Sequence, residues 1–385
     1  MKRVPGILLA AVGVLVALGI LRASVRPRDL GRGPSEPGAA ATEVPSRTSP
    51  VPRDKGSEND VRVVAEGLEI PWALAVAPDG AFYATERPGR LVRIRDGKTE
   101  TIATLPDVSQ RSESGLLGLA LDPRFSQSGL LYLYYTTTGG ANRVVRFRLT
   151  DGALTEPRVL LDRIPAAAFH DGGRIAFGPD GNLYITTGDA AQPELAQRPD
   201  SLAGKILRIR PDGTIPADNP FPSSPVYSFG HRNPQGLAWA ADGTLYSTEH
   251  GPSGPGAQCC HDEVNRIEPG KNYGWSETGR SGKLGVPGLV DPLIESGPTE
   301  TWAPSSAAVI GDTLYFGGLR GQALYALDFK NPSSPRVFFK GEFGRIRDVV
   351  RGPDGKLYLT TSNRDGRGGP KPGDDRIIRF DPRTL

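Results

Sequence analysis

Histidine is scarce in this chain. Only four occur in 385 residues, and all four sit in stretches dense with Gly, Asp, Asn and Arg. The first stretch, AFHDGGR at residues 168–174, sets the imidazole of His170 beside two glycines that permit close approach of a ligand. An imidazole placed in this way is a candidate general base, with a structural histidine as the alternative. The second, GHRNPQG from Gly230, puts His231 and the always-charged Arg232 next to the amide of Asn233. Guanidinium and amide together suit an anionic or carbonyl-rich ligand, and a turn closing a structural repeat is the equal alternative. In the third, EHGP from Glu249, His250 is followed by the carbonyls of Gly251 and Pro252, oxygen donors of the kind a hard cation such as Ca2+ takes. His261 directly follows the two cysteines of the chain, Cys259 and Cys260.

Such loops need a scaffold, and a short recurring pattern supplies one. An apolar doublet, a turn usually built on Asp-Gly and then alternating apolar residues begin at Leu74 (LAVAPDGAFYATE) and return at Leu119, Ile175, Leu237, Ala307 and Val349. Asp-Gly between alternating apolar runs is the strongest short-range hairpin signal. Copies spaced by about 40 to 70 residues describe small antiparallel sheets joined by loops of varying length. The expected fold class is therefore all-β, a six-bladed β-propeller over residues 61–385. An open β-sandwich with repeated turns is the alternative, but recurrence along the whole chain is hard to place in one sandwich. The histidine stretches lie between these repeats or at their ends.

Composition agrees. The 49 glycines and 36 prolines are far too many for a helical bundle, and the glycines lack the period of collagen. The net charge of +3 belongs to the first 60 residues, which carry nine Lys/Arg against six Asp/Glu, so residues 61–385 are neutral and nucleic-acid binding is not expected. Lys2 and Arg3 precede an apolar run at residues 7–21, the pattern of an export signal or a retained N-terminal anchor, giving a targeting segment over residues 1–24. Residues 25–60, rich in Pro, Gly, Ser, Arg and Glu, read as a flexible tether. The expected location is outside the cytoplasm: periplasmic, extracellular or tethered to the outer face of the cytoplasmic membrane.

The stretches, in their order, resemble the soluble quinoprotein glucose dehydrogenases and aldose sugar dehydrogenases, the glucose/sorbosone dehydrogenase family. ESGLLGLALDPRF from Glu113, FHDGGRIAFGPDGNLYITTGD from Phe169, SFGHRNPQGLAW from Ser228, STEHGP from Ser247, DEVNRIEPGKNYGW from Asp262, WAPSS from Trp302 and GRIRDVVRGPDGKLY from Gly344 carry the likeness. The family is a six-bladed propeller that uses pyrroloquinoline quinone (PQQ) and Ca2+. The resemblance implies that His170 takes the proton of the anomeric hydroxyl and that Arg232 polarises the quinone where hydride arrives. It also implies that Asn233 and Thr301 contact PQQ, that Arg320, Arg345 and Arg347 pair with its carboxylates, and that the carbonyls of Gly251 and Pro252 ligate calcium. Glu113 falls where the family places Gln or Glu near the substrate. The expected partners are aldose sugars and an external electron acceptor, a quinone or cytochrome, and a monomer is expected.

Three departures stand out. Phe169 replaces an acidic residue found before the base in the glucose enzyme, and an apolar side chain gives the base no hydrogen-bonding support. The long loops of the dimeric glucose enzyme are shortened, which predicts an open site that accepts larger aldoses. Residues 253–261 read as an insertion. In an exported protein Cys259 and Cys260 suit a vicinal disulfide, with free thiols as the alternative and zinc binding disfavoured by the adjacency of the ligands. A calcium-dependent lactonase on the same fold would need several acidic or amide ligands at the central channel, and no such set stands out. A non-catalytic binding propeller is the remaining alternative, against which His170, Arg232 and Asn233 are all present.

Overall fold

The computed structural model describes residues 61–253, 259–276 and 285–384. The targeting segment, the tether and the middle of the 253–261 insertion lie outside the described residues. No described helix is long and apolar enough to cross a membrane.

Six four-stranded antiparallel sheets make up the fold. In the first blade the strands are Pro71–Val76, Phe82–Glu86, Arg90–Arg95 and Lys98–Thr104. The next four blades begin with Leu116–Leu121, Ile175–Phe177, Pro234–Trp239 and Pro304–Ile310. The last is built from Ile346–Arg351, Leu357–Thr361 and Ile377–Phe380, and its fourth strand is the N-terminal Arg62–Ala65. Ring closure thus joins the two ends of the folded unit through the pairs Arg62 with Arg379 and Val63 with Ile378. That pairing covers the outer side of Ile377–Phe380.

Every repeat seen in the sequence lies on the first two strands of a blade. The turn chemistry explains why. Asp180 Oδ1 accepts the N–H of Asn182 at 3.1 Å, Gly181 takes φ 74°, and the ladder then pairs Phe177 with Leu183 and Ile175 with Ile185. Asp180 also receives the hydroxyl of Tyr184 at 3.0 Å, and Asp354 receives that of Tyr358 at 3.0 Å in the last blade. Alternate residues of each strand fill the space between blades, where Leu131, Tyr132, Leu133 and Tyr134 of the second blade are fully buried.

Around the axis, polar side chains from four blades form a plug. Arg174 stacks on Trp72 at 4.4 Å, pairs with Asp348 at 3.2 Å and donates to the Gln235 carbonyl at 3.2 Å. Asp348 also accepts the N–H of Leu74 at 2.6 Å. The plug divides the axial space: Trp72 and Gln235 line a cavity of about 310 Å³, while Arg174 and Asp348 line a wider one of about 680 Å³ among the innermost strands.

Candidate functional site

The smaller cavity gathers the loops that carry the histidine stretches. His170, Arg232, Glu113, Arg320, Arg345 and Arg347 all line it, together with Asp171, His250 and Arg367. Asn233 lies just behind the wall: its Oδ1 accepts the Gly172 N–H at 3.0 Å and its Nδ2 is buried without a partner. Gly251 and Pro252 sit between two lining residues, His250 and Ser253. Thr301 is not at the cavity wall; its hydroxyl donates to Asp262 at 2.8 Å. Asp262 also accepts the N–H of Gly251 at 2.9 Å, Trp302 at 2.7 Å and Ala303 at 2.9 Å, so this one carboxylate fixes the EHGP loop. Only glycine fits at position 251, because a Cβ would meet the Cys260 carbonyl at 1.9 Å. Cys259 and Cys260 are joined by a disulfide.

His170 is held on three sides. Its Nδ1 lies 2.8 Å from Asp189 Oδ1, its N–H donates to Glu113 Oε2 at 3.2 Å, and its backbone takes φ 65°, unusual for a residue with a Cβ. Asp189 is itself locked by Trp275 Nε1 at 2.7 Å and the Ala191 N–H at 2.8 Å. The support that position 169 fails to give therefore comes from Asp189, at the end of the hairpin. The hairpin register could have revealed it. Pairing of Ile175 with Ile185 carries residue 171 opposite residue 189, and Ala190 N–H does reach the His170 carbonyl at 3.2 Å. Gly188 permits the approach, since a Cβ there would lie 1.9 Å from that carbonyl.

His231 has a different task. Wholly buried, it bonds Glu249 through Nδ1 at 2.9 Å and Ser228 through Nε2 at 2.8 Å, stacked on Tyr273. Glu249 also accepts the N–H groups of Arg232 and Asn233, so the pair shapes the turn that presents them. His261 pairs with Glu295 at 2.8 Å.

The cavity is electropositive, with five lining arginines against two lining carboxylates. Arg345 is already committed: Nε and Nη2 both bond Asp365, at 2.9 and 2.8 Å. Arg347 is not, since it gives Nη1 to Gln235 at 3.0 Å but leaves Nε buried and unpaired, and burial pushes its guanidinium down to about 9. Arg232 likewise donates one N–H to the His250 carbonyl at 3.1 Å and leaves Nε buried and unpaired, its pKa lowered by burial. His250 Nε2 has no partner, and burial next to Arg347 and Arg232 pushes that imidazole down to about 3, so it is neutral. Burial raises Asp171 to about 6. Burial opposes ionisation of Glu113 too, but Arg367 outweighs it and holds the carboxyl at about 2. Buried donors left without acceptors beside a cavity are costly unless a ligand satisfies them. A ligand rich in carboxylates and carbonyls, as PQQ is, matches this donor set.

The sequence profile described as Glucose / Sorbosone dehydrogenase matches residues 68–378. The chain belongs to that family. An aldose sugar dehydrogenase of Escherichia coli is 33% identical over 80% of this chain and 91% of its own length. Quinoprotein glucose dehydrogenase B of Acinetobacter calcoaceticus is 30% identical over 62% of this chain and 56% of its own. The structure of the PQQ-bound aldose sugar dehydrogenase of Streptomyces coelicolor superposes with a TM-score of 0.78, at 40% identity over 85% of this chain and 99% of that one. As a glucose/sorbosone dehydrogenase, the protein is an oxidoreductase of the sugar dehydrogenase type.

Proposed function

We propose that the protein is a PQQ- and calcium-dependent dehydrogenase that oxidises the anomeric hydroxyl of aldoses to the lactone. The observation that carries this reading is one cavity in which a paired imidazole, His170 with Asp189, stands among buried arginine and amide N–H groups that lack acceptors. Arg232, Arg320, Arg347 and Asn233 would hold the cofactor, and the carbonyls of Gly251 and Pro252 would face the calcium ion. PQQ, when bound, supplies the acceptor for the hydride leaving C1, with Ca2+ beside it as a Lewis acid.

The work of the protein itself is proton handling and positioning. With Asp189 ionised, Nδ1 carries the imidazole hydrogen and Nε2 keeps a lone pair for the anomeric proton. Loss of that proton and of hydride from C1 leaves the lactone carbonyl. Asp189 then stabilises the imidazolium. Glu113, held ionised, offers an acceptor to sugar hydroxyls. The same reading places the protein outside the cytoplasm, supported by the basic residues and apolar run at the N-terminus, with an external quinone or cytochrome as final acceptor. A lactonase finds little support, because no group of three or more His, Cys, Asp or Glu is gathered as a metal site among the described residues.

The test is a titration of cofactor-free protein with PQQ and Ca2+, assayed with a dye acceptor over a panel of aldoses. Sugar-dependent dye reduction that needs both additions and is abolished by a chelator is expected. Failure to bind PQQ would return the chain to the binding propellers.

A further inference from the structure

Among the described residues, five large hydrophobic side chains are exposed, and four are valines away from the cavity. The fifth is Phe169, which lines the cavity with 43% of its surface uncovered. Its ring stands edge-on to the imidazole of His170, with centroids 5.1 Å apart and planes at 71°. Nothing in the packing of the blades accounts for a half-bare aromatic ring at this place. Its position is fixed by its neighbour, since His170 is pinned through its N–H by Glu113 and through Nδ1 by Asp189. Three alanines precede it in the chain.

We propose that Phe169 is the sugar-stacking platform of the substrate site, on which an aldopyranose lays its apolar C–H face while its anomeric hydroxyl meets His170. The proposal rests on the sugar dehydrogenase reading and deepens it. A pyranose is amphipathic, with axial C–H groups on its faces and hydroxyls around its rim. The cavity presents the matching pair: an aromatic ring beside the imidazole of His170, and in the same lining the carboxylate of Glu113 paired with the half-exposed guanidinium of Arg367. Aromatic surface with a few placed polar groups is the usual make-up of a specific small-molecule site. The favoured class is therefore aldopyranoses with an unbroken C–H face, ahead of small alcohols and aldehydes, which have no face to stack.

The test uses the PQQ- and calcium-loaded full chain and three variants. Phe169→Ala is expected to raise the KM for the best aldopyranose on the order of 5-fold to 10-fold, with kcat held within about 2-fold. Phe169→Trp restores the KM, and Phe169→Leu, which keeps bulk without a ring, does not. A second readout avoids turnover: 1,5-anhydroglucitol, which lacks the anomeric hydroxyl, is titrated and its saturation-transfer NMR signals recorded. Loss of transfer to its C–H protons in Phe169→Ala, at unchanged melting temperature, supports the platform. Active enzyme in which neither KM nor anhydroglucitol affinity moves overturns it, as does a fall in kcat alone, which would make Phe169 a positioning residue for the base. If the loaded wild type oxidises no aldose, the dehydrogenase reading fails, and the anhydroglucitol contact still decides the platform.

Discussion

Of the three histidine–carboxylate pairs described in this propeller, two are opposite in chemistry. His231 with Glu249 and His170 with Asp189 have nearly the same Nδ1 to oxygen distance, 2.9 and 2.8 Å. In the first pair both ring nitrogens are used, the side chain is fully buried, and a tyrosine ring covers one face. In the second, one nitrogen is tied down, and the ring stands at the wall of a cavity with 16% of the side chain exposed. A carboxylate partner orients an imidazole in both. What makes a base is the nitrogen left over and the space in front of it.

Substitution separates the two pairs. His170→Ala should cost on the order of 10²-fold to 10⁴-fold in kcat with PQQ binding nearly intact, measured by dye reduction and cofactor titration. Equal loss of binding and turnover would move His170 to the structural class of His231. Asp189→Asn should lower kcat by about 10²-fold, because the amide no longer stabilises the imidazolium. Retained turnover would show that orientation by Trp275 and the loop is sufficient. His231→Ala should instead destabilise the fold by about 3 kcal/mol, leaving Glu249 buried with fewer partners, and weaken cofactor binding through the turn of Arg232 and Asn233, while kcat of the folded enzyme at saturating cofactor stays nearly the same. A kinetic defect in a fully folded His231→Ala sample would dissolve the contrast.

The smallest expected effect concerns Glu113. Its folded pKa, held at about 2 chiefly by Arg367 against burial, lies below the ordinary 4.5, so the stabilisation is fully present above about pH 4.5 and is lost as pH falls towards 2. In Glu113→Gln that part of the acid transition should vanish, leaving a shallower loss of stability over the same window. An unchanged acid profile would mean that the pair with Arg367 holds the rim without stabilising the fold.

The blades were legible because their code is local. An Asp that accepts the N–H two residues on and a glycine at positive φ need no distant information, and four such turns among six repeated hairpins announce a ring. The arginines were legible as a group through the family motifs, but not in their commitments. Asp365, which occupies Arg345, lies 20 residues along the chain in a loop without a recognisable pattern. Asp189 was closer to hand, since it ends a quoted motif and hairpin register alone carries it towards His170. The removal of Thr301 from the cavity wall follows from Asp262, whose four bonds to two separate segments, Gly251 and residues 301–303, exist only in three dimensions.

The axial plug has a kinetic consequence. Arg174 and Asp348 pair on the axis, buried, and line the wider cavity among the innermost strands, not the one in front of His170. On the proposed function, sugar and electron acceptor would both approach His170 from the front of this cavity and would take turns there. The reaction would then run by alternation, with the lactone departing before the acceptor collects its electrons, initial-rate plots for the two reactants forming parallel lines, and each reactant in excess obstructing the other.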